Sequence, residues 1–155
     1  MFQENVDLKA YNTFGLSVKA KQFAAFNSIA QLNELIKTAK NDSLLILGGG
    51  SNMLLTQDVD GIVLKNDLRG IEVIKEEGDD VWVKAMGGEV WHDFVMHCID
   101  HGFGGIENLS LIPGSVGAAP MQNIGAYGVE IKDVFDSLEA YELASGEVKT
   151  FDADA

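Results

Sequence analysis

Four consecutive apolar residues, Leu44 to Leu47, run directly into three glycines, and this junction restricts the fold more than any other feature of the sequence. An apolar run of this length ending at glycines predicts a buried β-strand that feeds a tight loop. In that loop, Gly48 to Asn52, consecutive N–H groups can converge on a pyrophosphate because glycine permits close approach and positive φ. Ser51 and Asn52 add side-chain donors. An ordinary turn is the alternative interpretation.

Two common phosphate-binding classes are disfavoured at this loop. The glycines lack the G-x-G-x-x-G spacing of a Rossmann dinucleotide site. No lysine follows Gly50, as a Walker-type phosphate loop requires.

The charge balance limits the classes of partner. The chain has 155 residues with 11 Lys and Arg against 24 Asp and Glu, a net charge of −13. A surface this acidic repels phosphate backbones and anionic headgroups, so we predict neither a nucleic-acid nor a membrane partner. The single Cys98 cannot form an internal disulfide, and the first residues lack a signal-peptide pattern. We therefore expect a cytoplasmic protein.

Hydrophobic periodicity predicts two α+β units. The first, residues 1–67, is interpreted as a small βαββ unit in which Ser28 and Gln31 cap a helix that runs to about Lys40. Its predicted strands are Gln22–Phe26, Leu44–Leu47, Met53–Leu55 and Ile62–Leu64, with a turn over Gln57–Gly61 before the last. The second unit, residues 68–155, contains a hairpin, a helix and two further strands. These elements are Ile71–Glu76, Val81–Ala85, Glu89–Gly102, Val134–Ala144 and Val148–Phe151.

A second glycine-rich stretch lies between residues 107 and 128. Its small residues would let a large flat group lie directly against the backbone; they are Gly114, Ser115, Gly117, Ala118 and Ala119. Pro113 at a helix start would leave the following N–H groups free for an anion. Gln122 and Asn123 can bond polar ring edges, and Tyr127 offers a stacking face or a hydroxyl. A tightly packed Gly/Ala corner of the core is the alternative.

The histidines of the predicted helix are a weaker candidate. His97 and His101 are four residues apart and share a helix face, as in some metal sites. Only Asp93 and Asp100 stand nearby as oxygen ligands, so a solvated flank is favoured and no metal site is predicted. His92 and Trp91 are predicted to be packing residues, although His92 can reach a ligand from the helix start.

Several strings resemble the UDP-N-acetylenolpyruvoylglucosamine reductase (MurB) family in order and spacing from about residue 10 onward. They are Asn12–Gly15, Leu45–Asn52, Glu107–Leu109, Ile112–Gly117 and Gln122–Glu130. The resemblance implies an α+β fold, the FAD-binding domain of the p-cresol methylhydroxylase/vanillyl-alcohol oxidase type, with FAD between two subdomains. It also implies that this chain is the N-terminal, FAD-binding portion of such an enzyme.

The resemblance further implies which residues contact the cofactor. Gly48 to Asn52 would cradle the FAD pyrophosphate, and Tyr127 would lie on the nicotinamide or substrate side. Some relatives have serines at Ala118 and Ala119, so backbone N–H groups would replace those hydroxyls. The full set of implied FAD contacts is Ile46, Gly48, Gly49, Gly50, Ser51, Asn52, Ile112, Pro113, Gly114, Ser115, Gly117, Ala118, Gln122, Asn123, Gly125 and Ala126.

The implied reaction is the NADPH-dependent reduction of UDP-N-acetylglucosamine enolpyruvate to UDP-N-acetylmuramate, in peptidoglycan precursor synthesis. The arginine, serine and glutamate that act in this family come from C-terminal segments, so we expect no catalytic residue within these 155 residues and little activity of the chain alone. Two alternatives stay open: an FAD-binding domain of another oxidoreductase of this superfamily, and a non-catalytic scaffold that has lost the cofactor.

Overall fold

A computed structural model describes residues 1–39 and 43–153. The first part of the chain forms β1 (Gln3–Asp7), β2 (Lys19–Phe26), α1 (Ile29–Ala39), β3 (Leu44–Leu47) and β4 (Val59–Asn66). The second part forms β5 (Ile71–Glu77), β6 (Asp80–Ala85), α2 (Trp91–Asp100), β7 (Gly125–Ala126), β8 (Val129–Glu130), β9 (Ser137–Tyr141) and β10 (Val148–Asp152). Single turns of 3-10 helix join several of these elements.

The first five elements build one four-stranded sheet with the strand order β1-β2-β4-β3. β2 and β3 both run parallel to β4, and β1 runs antiparallel to β2. A cluster that includes Leu32 and Leu35 of α1 packs against Phe26 and Leu64 of the sheet. A second cluster buries Leu8, which precedes β2, together with Leu47 at the end of β3.

Three predictions in this part need correction, and one strand was missed. Residues Met53–Leu55 are not a strand, and β4 begins at Val59, inside the predicted turn. β3 is at the sheet edge, so of its residues only Leu47 is buried. β1 was not predicted, because its sequence Gln-Glu-Asn-Val-Asp carries no apolar alternation.

The start of α1 is close to the prediction. The Gln31 N–H donates to Ser28 Oγ at 3.2 Å. The Gln31 side chain was predicted to bond back to Ser28. Instead, its Oε1 accepts the N–H of the preceding residue, Asn27, at 2.9 Å. The predicted end at Lys40 lies outside the described residues.

The second part of the chain contains two separate hairpins and a compact helical corner. β5 pairs with β6, and β9 pairs with β10, both antiparallel. α2 is shorter than predicted at both ends, while Gly102 follows it with φ +76 as a helix stop. β9 is likewise shorter than the predicted Val134–Ala144 strand. A third cluster joins Trp91 and Val95 of α2 to Leu109 and Ile124 of the loops.

No α-helix in the described part of the chain has the length and apolar content needed to span a bilayer. The cytoplasmic location and the division near residue 68 both stay predictions.

Candidate functional site

The Gly48–Asn52 loop leaves the end of β3 and rests on the segment before β2. Gly50 is buried and has φ +65. A Cβ at this position would lie 2.0 Å from the carbonyl oxygen of Tyr11. The Thr13 N–H donates to the Gly50 carbonyl at 3.2 Å. Only glycine satisfies both the left-handed conformation and this close backbone contact.

Asn12 holds the supporting segment in shape. Its side chain is buried, and its amide donates to the carbonyls of Leu8 at 2.8 Å and Leu16 at 2.9 Å. Its Oδ1 accepts the Leu16 N–H at 3.0 Å. Sequence reasoning gave Asn12 no role, although it begins the Asn12–Gly15 string that carried part of the resemblance.

The five backbone N–H groups of residues 48–52 are the most informative feature of the loop. None of them donates a hydrogen bond within residues 1–39 and 43–153. Gly50 is buried and the other four residues are partly or fully exposed, so water or an anionic ligand must supply the acceptors for this run of five N–H groups.

The two glycine-rich stretches meet face to face. A Cβ on Gly49 would lie 3.2 Å from Gly114 Cα, and a Cβ on Gly48 would lie 2.6 Å from Ser115 Oγ. A Cβ on Gly114, which has φ +125, would lie 3.1 Å from Ser51 Oγ. The predicted residues of both loops are therefore brought to one place.

Ser115 is one of two buried polar residues in the described chain, with 7% of its surface exposed. Its hydroxyl points toward Gly48 and makes no hydrogen bond within the described residues. No buried side-chain nitrogen or oxygen in the described residues lacks a hydrogen-bond partner, so this unpartnered Oγ lies at the surface of the cleft, where a ligand can reach it. This hydroxyl is therefore a candidate ligand contact.

The prediction for Pro113 is wrong. The nearest 3-10 helix begins at Val116, not at Pro113. The Val116 N–H donates to the Glu89 carbonyl at 2.9 Å, and the Gly117 N–H donates to the Gly87 carbonyl at 3.0 Å. These two groups tether the second loop to the start of α2, whereas the N–H groups of Gly114 and Ser115, which directly follow Pro113, donate no hydrogen bond within the described residues.

Gly117 is needed for that tether. A Cβ on Gly117 would lie 2.9 Å from the Gly87 carbonyl oxygen, so backbone meets backbone here. Gly87 was not singled out from the sequence, because a lone Gly-Gly pair after a strand resembles a turn.

The amides predicted to bind ring edges are already engaged. The Asn52 amide donates to Gln122 Oε1 at 2.7 Å, which joins the two loops. Asn123, with φ +44, accepts the Lys132 N–H on its Oδ1 at 3.2 Å.

Asn123, Gly125 and Ala126 line an open depression of about 600 Å³. Tyr127 follows them with 89% of its surface exposed and φ +54, so its ring is free to meet a ligand. Lys132 and Glu130 also line this depression, where Lys132 donates to Glu130 and holds the pKa of that carboxyl below its usual range.

The other predicted contacts differ in accessibility. Ile46 and Pro113 are exposed, whereas Ile112 and Ala118 are half-buried. Ile112 packs against the cluster around Trp91. The second stretch is thus partly a packed corner, as the alternative interpretation held.

The helix histidines lie apart from this arrangement. The rings of His97 and His101 stack at 4.2 Å. Within the described residues, no three His, Cys, Asp or Glu side chains group as metal ligands would. His92, near the second loop, accepts the Leu111 N–H on Nδ1 at 3.2 Å. Cys98 is buried, as predicted, and burial raises the pKa of its thiol to about 11.

Comparison with known proteins gives a consistent result. The profile of the FAD binding domain family matches residues 20–152. The chain is 57% identical over 149 residues to UDP-N-acetylenolpyruvoylglucosamine reductase of Flavobacterium johnsoniae, covering 96% of this chain and 44% of that protein. It is 49% identical over 155 residues to the protein of the same name from Pseudomonas aeruginosa, covering 99% and 46%.

A solved structure supports the fold. The crystal structure of UDP-N-acetylenolpyruvylglucosamine reductase from Thermus caldophilus superposes with a TM-score of 0.76 at 23% identity, covering 99% of this chain and 54% of that one. The predicted α+β fold of the flavin-binding type is confirmed. The chain spans less than half the length of the curated relatives named here.

Proposed function

The chain belongs to the FAD binding domain family, and on that premise we propose that it binds FAD where its two glycine-rich loops meet. The pyrophosphate would lie on the backbone of residues 48–52. The flat part of the cofactor would lie against the small residues of the second loop and the depression at Asn123–Ala126.

The run of five unpaired N–H groups at residues 48–52 carries this proposal. The net charge of −13 opposes an anionic ligand at long range, so local donors must outweigh it. Convergent backbone N–H groups do this without a cation, because each directs a partial positive charge at the same oxygen atoms.

Three side chains of the loops would complete the cradle. The Ser115 hydroxyl, aimed at Gly48 and without a partner in the described chain, would donate to a phosphate oxygen. Asn52 and Gln122 bond each other and would exchange that bond for contacts with the cofactor. Their mutual bond keeps both amides satisfied until then.

We further propose that the chain is the FAD-binding part of a reductase acting on UDP-N-acetylglucosamine enolpyruvate, as the names of its relatives suggest. A bound flavin would supply the redox chemistry, taking a hydride from NADPH and delivering it to the enolpyruvyl double bond, which gains a proton to give UDP-N-acetylmuramate. This chain would position the flavin, and Tyr127 would lie on the substrate side. Groups that bind the substrate and donate the proton would come from the part of the relatives that this chain does not match.

The first test is a flavin titration of the full chain, followed by absorbance and fluorescence. FAD should bind more tightly than FMN, and FMN more tightly than riboflavin, because the proposed cradle recognises phosphate. Ser115→Ala should weaken FAD binding about fivefold to tenfold, the worth of one hydrogen bond. It should leave the unfolding midpoint unchanged or slightly raised, because the hydroxyl has no partner in the described chain.

Gly49→Val would wedge the two loops apart where the backbone of one lies against the backbone of the other, and should abolish retention of FAD. Gly78→Ala, in the β5–β6 turn with open space around it, is the matched control. Equal affinity for FAD and riboflavin, or unchanged FAD binding by Gly49→Val, would overturn the assignment. Activity is tested separately, on a longer protein that joins this chain to the unmatched part of a relative.

A further inference from the structure

The segment between Leu109 and Gly114 follows the start of α2 but departs from it in the middle. Trp91 donates its indole N–H to the Leu109 carbonyl at 2.8 Å and its backbone N–H to the Gly114 carbonyl at 3.0 Å. Between these anchors the chain forms an arch, residues 111–114. The two middle residues of the arch make no backbone hydrogen bond within the described part of the chain.

Both ends of the arch have a left-handed backbone. Gly114 has φ +125, which glycine adopts without a steric penalty. Leu111 has φ +62, where crowding of its Cβ disfavours the conformation by about tenfold. The Leu111 side chain is 77% exposed, so its packing does little to offset this strain. A contact of the Leu111 backbone has to do so.

One side chain makes that contact. His92 Nδ1 accepts the Leu111 N–H at 3.2 Å. The Leu111 backbone makes no other hydrogen bond within the described residues. An accepting Nδ1 leaves the ring proton on Nε2. His92 therefore holds the one residue of the arch whose conformation is strained.

The position of the arch affects the candidate site directly. A Cβ on Gly49 would lie 3.2 Å from Gly114 Cα, so the end of the arch rests on the Gly48–Asn52 loop. The N–H groups of Ile112 and Gly114 donate no hydrogen bond within the described residues. A displaced arch would change the width of the cleft between the loops and the direction of these two donors.

The anchors of the arch differ in what else they support. The Trp91 indole is buried in the third cluster, so replacing it would disrupt the core. The bond to the Gly114 carbonyl comes from a backbone N–H and survives a change of side chain. His92 is half-buried, and the bond to Leu111 is the only hydrogen bond of its ring in the described chain. Its ring can therefore be replaced without removing a core side chain.

We propose that His92 is a positioning residue of the cofactor site. Its Nδ1 stabilises the left-handed Leu111 and so fixes the arch against the Gly48–Asn52 loop. The inference rests on the proposed binding of FAD where the two loops meet. His92 acts through the Leu111 backbone, and its loss lets Leu111 relax to a right-handed or extended conformation that moves the arch.

Replacement of His92 tests the bond. His92→Ala should weaken FAD binding about tenfold, because the strain of Leu111 is no longer offset. His92→Asn should restore most of the affinity, since asparagine Oδ1 is an acceptor the same number of bonds from the backbone as Nδ1. His97→Ala is the matched control on the same helix, where the ring stacks on His101, and it should bind FAD like the unaltered chain. Flavin fluorescence titration measures each affinity.

Substitution of Leu111 separates its strain from its side chain. Leu111→Gly removes both, whereas Leu111→Ala removes the side chain but keeps the Cβ that causes the strain. His92→Ala should weaken FAD binding by no more than about twofold in the Leu111→Gly background, where there is no strain to offset. In the Leu111→Ala background it should keep its full effect, about tenfold. Equal effects in the two backgrounds would overturn the proposal.

Hydrogen exchange without flavin gives a readout that does not depend on binding. The Leu111 amide should exchange about tenfold faster in His92→Ala and at the original rate in His92→Asn. Circular dichroism verifies that each variant is folded. If His92→Ala does not fold, His92→Leu, which fills the space without an acceptor, takes its place in every comparison.

The outcomes separate this inference from the proposed function. An unaltered chain that retains no FAD would overturn the proposed function, and the role of His92 in the site with it. FAD binding by the unaltered chain with equal affinity in His92→Ala would overturn the role of His92 alone. Failure of His92→Asn to recover both the affinity and the exchange rate would also overturn it, because the acceptor would then not be what matters.

Discussion

At the scale of single residues, the candidate site depends on backbone contacts that exclude a side chain. Gly50, Gly49 and Gly117 each bring one segment of backbone against another. Asn12 supports the first of these contacts with three hydrogen bonds from a buried position. The site therefore depends mainly on glycines, whose lack of a Cβ lets two backbone segments lie in contact.

Gly50 and Gly78 offer a controlled comparison, because their φ values are +65 and +63. Gly78→Ala meets open space and should cost only the left-handed strain, about 1 kcal/mol. Gly50→Ala adds a clash with the Tyr11 carbonyl and should cost about 2 to 5 kcal/mol, together with FAD binding. Urea unfolding of both variants measures the difference. Equal losses would show that the Tyr11 contact relaxes freely.

At the scale of elements, each loop of the site is anchored to a regular structure. The first loop extends from β3, and the second is tied to the start of α2 through Glu89 and Gly87. α1 supports the sheet from behind, and its first turn is closed by Ser28 and Gln31. Local sequence controls such a helix start well, because the bonds join residues a few positions apart.

Ser28→Ala should lower the free energy of unfolding by about 1 kcal/mol, since the Gln31 N–H loses its acceptor. Ser28→Asp should restore it, because aspartate is an equally good N-cap. Chemical denaturation measures both variants. FAD affinity should stay the same in each, and a parallel loss of affinity would mean that α1 positions the glycine loop more directly than the structure indicates.

At the scale of the whole molecule, the negative charge and the proposed anionic ligand oppose each other. Salt screens repulsion at long range but barely affects short contacts inside a site. The ionic strength should therefore change the association rate of FAD more than its dissociation rate.

The association rate of FAD should rise about twofold to tenfold between 10 and 200 mM salt, the reverse of the usual behaviour of charge-assisted binding. Stopped-flow fluorescence measures the rate. Riboflavin, which is uncharged, should show no such increase. A FAD association rate that falls with salt would indicate a local positive field strong enough to overcome the net charge.

Sequence alone determined the strand β3, the β5–β6 hairpin, the start of α1 and the two glycine-rich stretches, because these features depend on residues near one another in the chain. It did not predict β1, whose polar residues join the sheet only because β2 offers a free edge. The sequence also wrongly predicted a strand at Met53–Leu55. There the half-buried side chains of Met53 and Leu55 pack against the second cluster, but the backbone does not pair as a strand. The tertiary structure alone decided that Pro113 starts no helix, because the N–H groups of Val116 and Gly117 bond to carbonyls more than 25 positions away in sequence. It alone brought Gly49 against Gly114 and placed Asn12 beneath the loop, since contacts between distant segments depend on how the whole chain packs.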